Sequence, residues 1–152
     1  MRGAWAGMYP EGVDNLDPPY SLDAQIGFVL RRATQRHLAI FAEAIPGLTT
    51  TQFAVLAKLS ELGAMSQNQL GRATAMDAAT IKGVVDRLRQ QGLVQTRPDP
   101  GDRRRLTIDL APEGSRLFDA TRQRALEVSA RTLAPLTPSE RERLLILLAK
   151  LA

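Results

Sequence analysis

The sequence predicts a mainly α fold with a small β-hairpin wing: a winged helix-turn-helix domain flanked by terminal helices. Three observations lead there. Ser66 to Gln91 holds two helix starts within the span of a helix-turn-helix, Ser66 with Gln69 as a capping box and Asp77 as the cap of Ala78–Gln91. Leu93–Arg97 and Leu106–Leu110 read as short strands on either side of a turn rich in Pro, Asp and Gly, and Arg103-Arg104-Arg105 sits in that connection. Long helical segments with apolar stripes stand before and after this unit. A helix followed by a basic-tipped hairpin offers a rod that fits a DNA groove and an arm that reaches the flanking backbone or minor groove.

In chain order, residues 1–20 hold several Gly and Pro, show no periodicity and read as a flexible arm. Trp5, Tyr9 and Tyr20 in it would dock on a partner subunit or roof a pocket, or are incidental to a mobile tail. Ser21 to about Ile45 reads as a long helix, with Ile26, Val29, Leu30, Ala33 and His37 on one face and Leu38, Phe41 and Ile45 widening it. Pro46-Gly47 ends it, and Thr49 with Gln52 forms a capping box for Thr50–Leu62. Gly63 breaks that helix, and the short helix opened by Ser66 runs to about Ala73. In Ala78–Gln91, Ile81, Val84, Val85 and Leu88 make the inward stripe, and Gly92 supplies a left-handed stop. Pro112–Leu133 reads as a long helix with Leu117, Phe118, Ala125, Leu126 and Val128 as its apolar positions. Thr137-Pro138-Ser139-Glu140 is a strong start signal for the last helix, Ser139–Ala152, which is apolar over more than one stripe and calls for a partner. The expected division is a flexible arm (1–20), a helical dimerisation region (21–48 and 112–152) and a winged DNA-binding domain (49–111).

Composition narrows the function. A chain of 152 residues is one ordinary domain, and 44% hydrophobic residues suffice for a core. With no Cys and His37 as the one histidine, disulfides, thiolate chemistry and His/Cys metal sites are excluded. No nucleophile elbow or phosphate-cradling glycine loop occurs, so neither an enzyme nor a cofactor is expected. The longest apolar run, Leu144–Ala149, is too short for a bilayer, no signal peptide is evident, and a cytoplasmic protein is the default expectation. The net charge is only +4, but of 20 basic residues all except Lys58, Lys82 and Lys150 are arginine. Arginine suits bidentate phosphate and guanine contacts, although a GC-rich genome gives the same bias.

Asp102-Arg103-Arg104, with Leu110 closing a D-x-R-x-x-x-x-x-L pattern, resembles the wing signature of the MarR family of bacterial transcription regulators. Thr80-Ile81-Lys82-Gly83-Val84-Val85-Asp86-Arg87-Leu88 followed by Gly92-Leu93-Val94 resembles that family's recognition helix, and the order of elements agrees over about residues 21–152. Ala111 departs from the pattern, standing where the family has a capping Thr, and Pro112 compensates in part through its fixed φ.

In the recognition helix, Ala79, Thr80, Lys82 and Gly83 cluster opposite the apolar stripe toward its N-terminal end. Thr80 suits a hydrogen bond or a thymine methyl, Lys82 suits guanine or phosphate, and small Ala79 and Gly83 let the backbone come close. Arg87 lies nearer the phosphates. The resemblance implies that Arg103 enters the minor groove while Asp102 and Arg104 lock the hairpin, with Arg105 completing the basic tip. It also implies an effector site for a small aromatic carboxylate: Arg36 for the carboxylate, His37 for a ring substituent, and Phe41, Gln52 and Phe53 beside them. The competing reading of Arg36 and His37 is structural, an arginine in an intersubunit ion pair and a partly buried histidine hydrogen-bonded within the dimer. The N-terminal part is most similar to members controlling aromatic-acid breakdown, including that of hydroxylated nicotinate-type acids. The expected function is thus a homodimeric, ligand-responsive repressor on a pseudo-palindromic double-stranded operator. The alternatives are a constitutive architectural DNA-binding protein and a protein-interaction module on the winged fold.

Overall fold

The computed structural model describes residues 20–99, 101, 102 and 104–152. The described chain divides into two compact units, one up to Gln35 and one from Arg36 to Ala152. The helix α1, Ile26–Ala44, crosses that boundary. The remaining elements belong to the second unit: α2 Thr50–Leu62, α3 Gln67–Ala73, α4 Ala78–Gln90, β1 Val94–Pro98, β2 Leu106–Leu110, α5 Pro112–Thr132 and α6 Pro138–Ala149.

In the first unit a short 3-10 turn, Leu22–Ala24, precedes α1. The helix therefore starts later than the expected Ser21, because Gln25 is extended and resets the chain direction. Ile26, Val29 and Leu30 are exposed, so the apolar stripe of this segment is uncovered. The expected arm falls on residues outside the described ones, apart from Tyr20, which is exposed.

The second unit is built around α2. Its buried Val55, Leu56 and Leu59 meet Leu70 of α3, Ile81, Val84, Val85 and Leu88 of α4, and Ile108 of β2 in one cluster. Full burial of one such side chain is worth about 1.5–3 kcal/mol, so the seam outweighs any single polar contact here. Phe41, Ile45 and Val128 extend the same core into α1 and α5. α5 differs from its expected stripe: Leu126 is exposed, while Thr121 is buried with its hydroxyl donating to the Leu117 carbonyl. α6 buries none of its residues, and Leu145, Ile146, Leu147 and Leu151 all face outward.

The expected caps form. Thr49–Gln52, Ser66–Gln69 and Thr137–Glu140 are reciprocal capping boxes, each satisfying donors the helix cannot. Ala111 caps α5 with no side-chain bond, as its methyl requires, and Pro112 opens the helix. The strands pair antiparallel with Val94 opposite Leu110 and Pro98 opposite Leu106. β1 starts one residue later than expected, because Leu93 still closes α4: its N–H donates to the Leu88 carbonyl beyond Gly92 at φ 71. Its own carbonyl accepts from Ala111, and a Cβ on Gly114 would run into that carbonyl. Met65 adds a bridge to the far edge of β2, exchanging two backbone bonds with Ile108 at 3.1 and 2.8 Å. The sequence pattern gave no sign of it.

Candidate nucleic-acid interface and effector site

The helix-turn-helix is fixed by small residues and one strained residue. Gly71 in α3 lies where a Cβ would stand 3.1 Å from the Met76 carbonyl oxygen and 3.3 Å from Ile81 Cγ2, so α3 and α4 approach closely. The turn closes through the Met76 N–H on the Gly71 carbonyl, at 2.9 Å. It passes through Ala75 at φ 53, a left-handed position that non-glycine residues seldom take.

α4 begins at Asp77, whose Oδ1 accepts the Thr80 N–H at 2.7 Å. Its Oδ2 accepts the Thr80 hydroxyl at 3.0 Å. The Thr80 backbone N–H, then its hydroxyl, hold the Asp77 carboxyl below its ordinary value. This sets what Thr80 can offer. Its proton is spent on the cap, which leaves a methyl and lone pairs: a thymine methyl or an exocyclic amine suits it, an acceptor edge does not.

With Ile81, Val84, Val85 and Leu88 turned inward, the spacing puts Ala79, Gly83, Asp86 and Gln90 at the centre of the outward face. Thr80 and Arg87 flank it on one side, Lys82 and Arg89 on the other, and all four are exposed. Asp86 takes the Arg89 guanidinium at 2.8 Å. Lys82 and Arg87 make no ion pair among the described residues. Lys82 and Arg87 therefore bracket a face that is small at its N-terminal end, at Ala79 and Gly83, and polar beyond it, at Asp86 and Gln90, an arrangement suited to a phosphate on either wall of a groove.

The hairpin tip is shaped by Asp99, which sequence reasoning overlooked. Its Oδ1 accepts the Gly101 and Asp102 N–H groups at 2.7 and 3.1 Å. Asp102 then accepts the Arg104 N–H at 3.0 Å and faces the Arg105 guanidinium at 3.5 Å. The expected Asp102–Arg104 hydrogen bond is present, made by the Arg104 backbone N–H rather than its guanidinium, and Arg105 adds the ion pair. Arg104 and Arg105 are both exposed, and Arg103 lies outside the described residues.

The expected effector residues are brought together only in part. Arg36 donates to the Arg131 carbonyl at 3.2 Å, and Arg131 in turn pairs with Glu43 at 2.8 Å. His37 Nδ1 lies 3.0 Å from the Thr132 hydroxyl. Both thus rest on the C-terminal end of α5. From His37 a row of rings runs inward: Phe41 at 6.5 Å, Phe53 a further 5.8 Å on and edge-to-face, then Phe118 at 5.6 Å. Gln52 does not join this row, which corrects its expected place. Its Oε1 accepts the Thr49 N–H at 2.9 Å and its Nε2 reaches Gln91 at 3.3 Å, so both ends of the buried carboxamide are already engaged. Phe41 is buried too, whereas Phe53 lines a groove. That groove, of about 520 Å³, lies between α2 and α5 and is bounded by Phe53, Ala57, Phe118, Arg122, Ala125 and Leu126. Arg122 and Phe118 are the residues sequence reasoning missed here. The signal for Arg122 was its place one turn after Phe118 on the same helix face.

Among the described residues no three His, Cys, Asp or Glu side chains gather to hold a metal ion, and no helix is long and apolar enough to cross a membrane.

Comparison with known proteins agrees with this geometry. Residues 48–106, which span α2 through the start of β2, match the MarR family. The chain is 44% identical over 135 residues to the HTH-type transcriptional repressor NicR of Pseudomonas putida, covering 88% of this chain and 85% of that protein. A crystal structure of a probable transcriptional regulator from Pseudomonas aeruginosa is 53% identical, superimposes with a TM-score of 0.84, and covers 87% of this chain and 100% of its own. BpsR of Bordetella bronchiseptica, whose DNA binding is regulated by 6-hydroxynicotinic acid, is 40% identical with a TM-score of 0.84, covering 88% of this chain and 97% of that one. The family match spans the helix-turn-helix and the wing up to the first residue of β2, and the chain belongs to the MarR family of winged-helix transcription regulators.

Proposed function

We propose that the protein is a homodimeric repressor that holds a pseudo-palindromic operator and releases it when a small aromatic carboxylate binds. The observation that carries the reading is the outward face of α4, where Lys82 and Arg87 stand on either side of the small Ala79 and Gly83, with the basic hairpin tip following it in the same unit. Each α4 enters a major groove, with Ala79, Thr80, Lys82 and Gly83 at the bases and Arg87 at the phosphates. Two-fold symmetry then sets half-site centres about 10 bp apart or a multiple of that. The wing follows the flank, where Arg103 enters the minor groove as a charge and Arg104 and Arg105 meet the backbone. The uncovered apolar faces of α1 and α6 make the dimer, so residues 21–48 and 112–152 form the dimerisation region and 49–111 the DNA-reading lobe. The protein acts by binding, not by catalysis, and works in the cytoplasm, where its operator lies.

The effector reading rests on the ring row and on the relative regulated by 6-hydroxynicotinic acid. An aromatic ring packs against Phe53 and Phe118, and an arginine takes the carboxylate: Arg122 at the open groove, or Arg36 at the His37 end of the row. A second reading, a constitutive DNA-binding protein, is favoured by one observation: Arg36 and His37 already have partners on α5.

The test is an anisotropy titration of the dimer on the region upstream of its own gene, with 6-hydroxynicotinate, salicylate and benzoate in turn. The proposal expects at least one acid to weaken operator binding tenfold or more. That change needs about 1.4 kcal/mol of coupling. Arg122→Ala and Arg36→Ala then identify the carboxylate partner, by loss of the response with apo affinity kept. Operator binding that no acid alters leaves the constitutive reading. No operator binding at all refutes both.

A further inference from the structure

Gln52 stands at a junction that neither the DNA contacts nor the effector groove accounts for. It is 6% exposed, in the first turn of α2, directly before Phe53. One end of its carboxamide closes the capping box on Thr49. The other end spans to Oε1 of Gln91, the C-cap residue of the recognition helix, at 3.3 Å. Gln91 is followed by Gly92 at φ 71 and by Leu93, whose N–H returns to the Leu88 carbonyl. The end of the helix that would read DNA is thereby tied to the start of the helix that carries Phe53.

The apolar seam between α2 and α4 holds the helices together through dispersion contacts that are many, individually weak and non-directional. A hydrogen bond is directional and weakens steeply with angle. At the end of a helix it fixes rotation about the seam in a way that Val and Leu contacts do not.

We infer that Gln52 and Gln91 are positioning residues that transmit effector occupancy to the recognition helix. A ring seated on Phe53 displaces the first turn of α2, and the Gln52–Gln91 bond carries that displacement to the C-terminal end of α4. The inference rests on the effector reading above and adds to it the route by which the groove reaches DNA. A chain of contacts is not a route until coupling is measured, so the test is a coupling measurement.

Gln91 is the residue to change, since it is exposed and lies outside the capping box. Operator affinity is measured for wild type, Gln91→Ala and Gln91→Glu, each with and without saturating 6-hydroxynicotinate, salicylate or benzoate. The readout is the relief ratio, operator Kd with acid over operator Kd without. The expected result is that Gln91→Ala cuts the ratio at least threefold, with apo operator Kd and acid Kd each within twofold of wild type. Gln91→Glu keeps an acceptor for Gln52 Nε2 and retains the wild-type ratio. A residue that merely stabilised the fold would shift Tm and leave the ratio alone. A wild-type ratio in Gln91→Ala overturns the inference and leaves the effector reading standing. A wild-type protein that answers to none of the acids overturns both.

Discussion

Replacing Gly83 by alanine should stabilise the protein and weaken its hold on DNA, effects of opposite sign from one methyl group. Gly83 lies inside α4, and beyond its chain neighbours and the surrounding helix backbone no atom of the described residues stands within 4 Å of the position its Cβ would take. A glycine in a helix interior costs roughly 0.5–1 kcal/mol relative to alanine, through the freedom it holds in the unfolded chain. With nothing to collide with, the substitution recovers that amount. For a chain of this size Tm moves by about 2–4 °C per kcal/mol, so a rise of about 1–4 °C follows. On the DNA side the methyl projects from the centre of the outward face, between Lys82 and Arg87. A helix seated in a groove has no spare room along that line. Overpacking costs about 1–3 kcal/mol, which lowers operator affinity roughly fivefold to 150-fold. Calorimetric melting gives the first effect, and anisotropy on labelled operator at one fixed salt concentration gives the second. A higher Tm with unchanged operator affinity would show that the α4 backbone never comes close to DNA at Gly83. A lower Tm would refute the steric argument itself.

Four other substitutions test other parts of the reasoning. Gly114→Ala drives a Cβ into the Leu93 carbonyl and should cost about 1–3 kcal/mol, more than helix propensity returns; an unchanged melting curve would remove Gly114 from the packing of α5 on the wing. The Asp77 carboxyl titrates below its ordinary value of 3.8, so the cap's contribution is complete above about pH 3.8 and is lost as pH falls through the lowered folded value; Asp77→Asn should flatten that acid limb of the stability curve, and an unaltered limb argues against the cap. Arg103→Ala should weaken all sequences alike and reduce the salt slope by about one, whereas Lys82→Ala should change sequence preference at one position by about 1–3 kcal/mol; footprinting and salt titration separate the two, and the same response from both variants would deny them different roles.

The sequence disclosed what is local. Capping boxes declare themselves within four residues, the inward stripe of α4 within nine, and Gly92 in one, because the physics of each is settled within a turn of helix. What it did not disclose joins distant segments. The Met65–Ile108 bridge, the Gln52–Gln91 bond and the close approach of Gly114 to Leu93 depend on which surfaces meet, and no periodicity records that. The effector site shows both sides of this. Arg36 and His37 stood out as polar residues in an apolar helix, yet their partners lie 95 residues away on α5. Arg122 did not stand out, because one arginine among the many on α5 is unremarkable until Phe53 and Phe118 are placed beside it. Thr80 was legible as a surface hydroxyl but not as a donor already spent, since that depends on the rotamer it shares with Asp77.

In the proposed mechanism the ring row is where dimer and effector would be coupled. The row from His37 to Phe118 crosses from α1 through α2 to α5, joining helices assigned to the dimer with the helix at the base of the DNA-reading lobe. In the proposed dimer the distance between the two recognition helices would follow that junction, since α4 shares its core with α2 and is tied to it by the Gln52–Gln91 bond. A ligand can shift operator affinity only by the difference in its affinity for the DNA-free and DNA-competent shapes. Tenfold relief asks for about 1.4 kcal/mol. One aromatic pair is worth about 0.5–1.5 kcal/mol beyond its buried area. Exchanging a single ring contact in the row, made in one shape and lost in the other, is therefore of the size required, and no large rearrangement of the core has to be invoked.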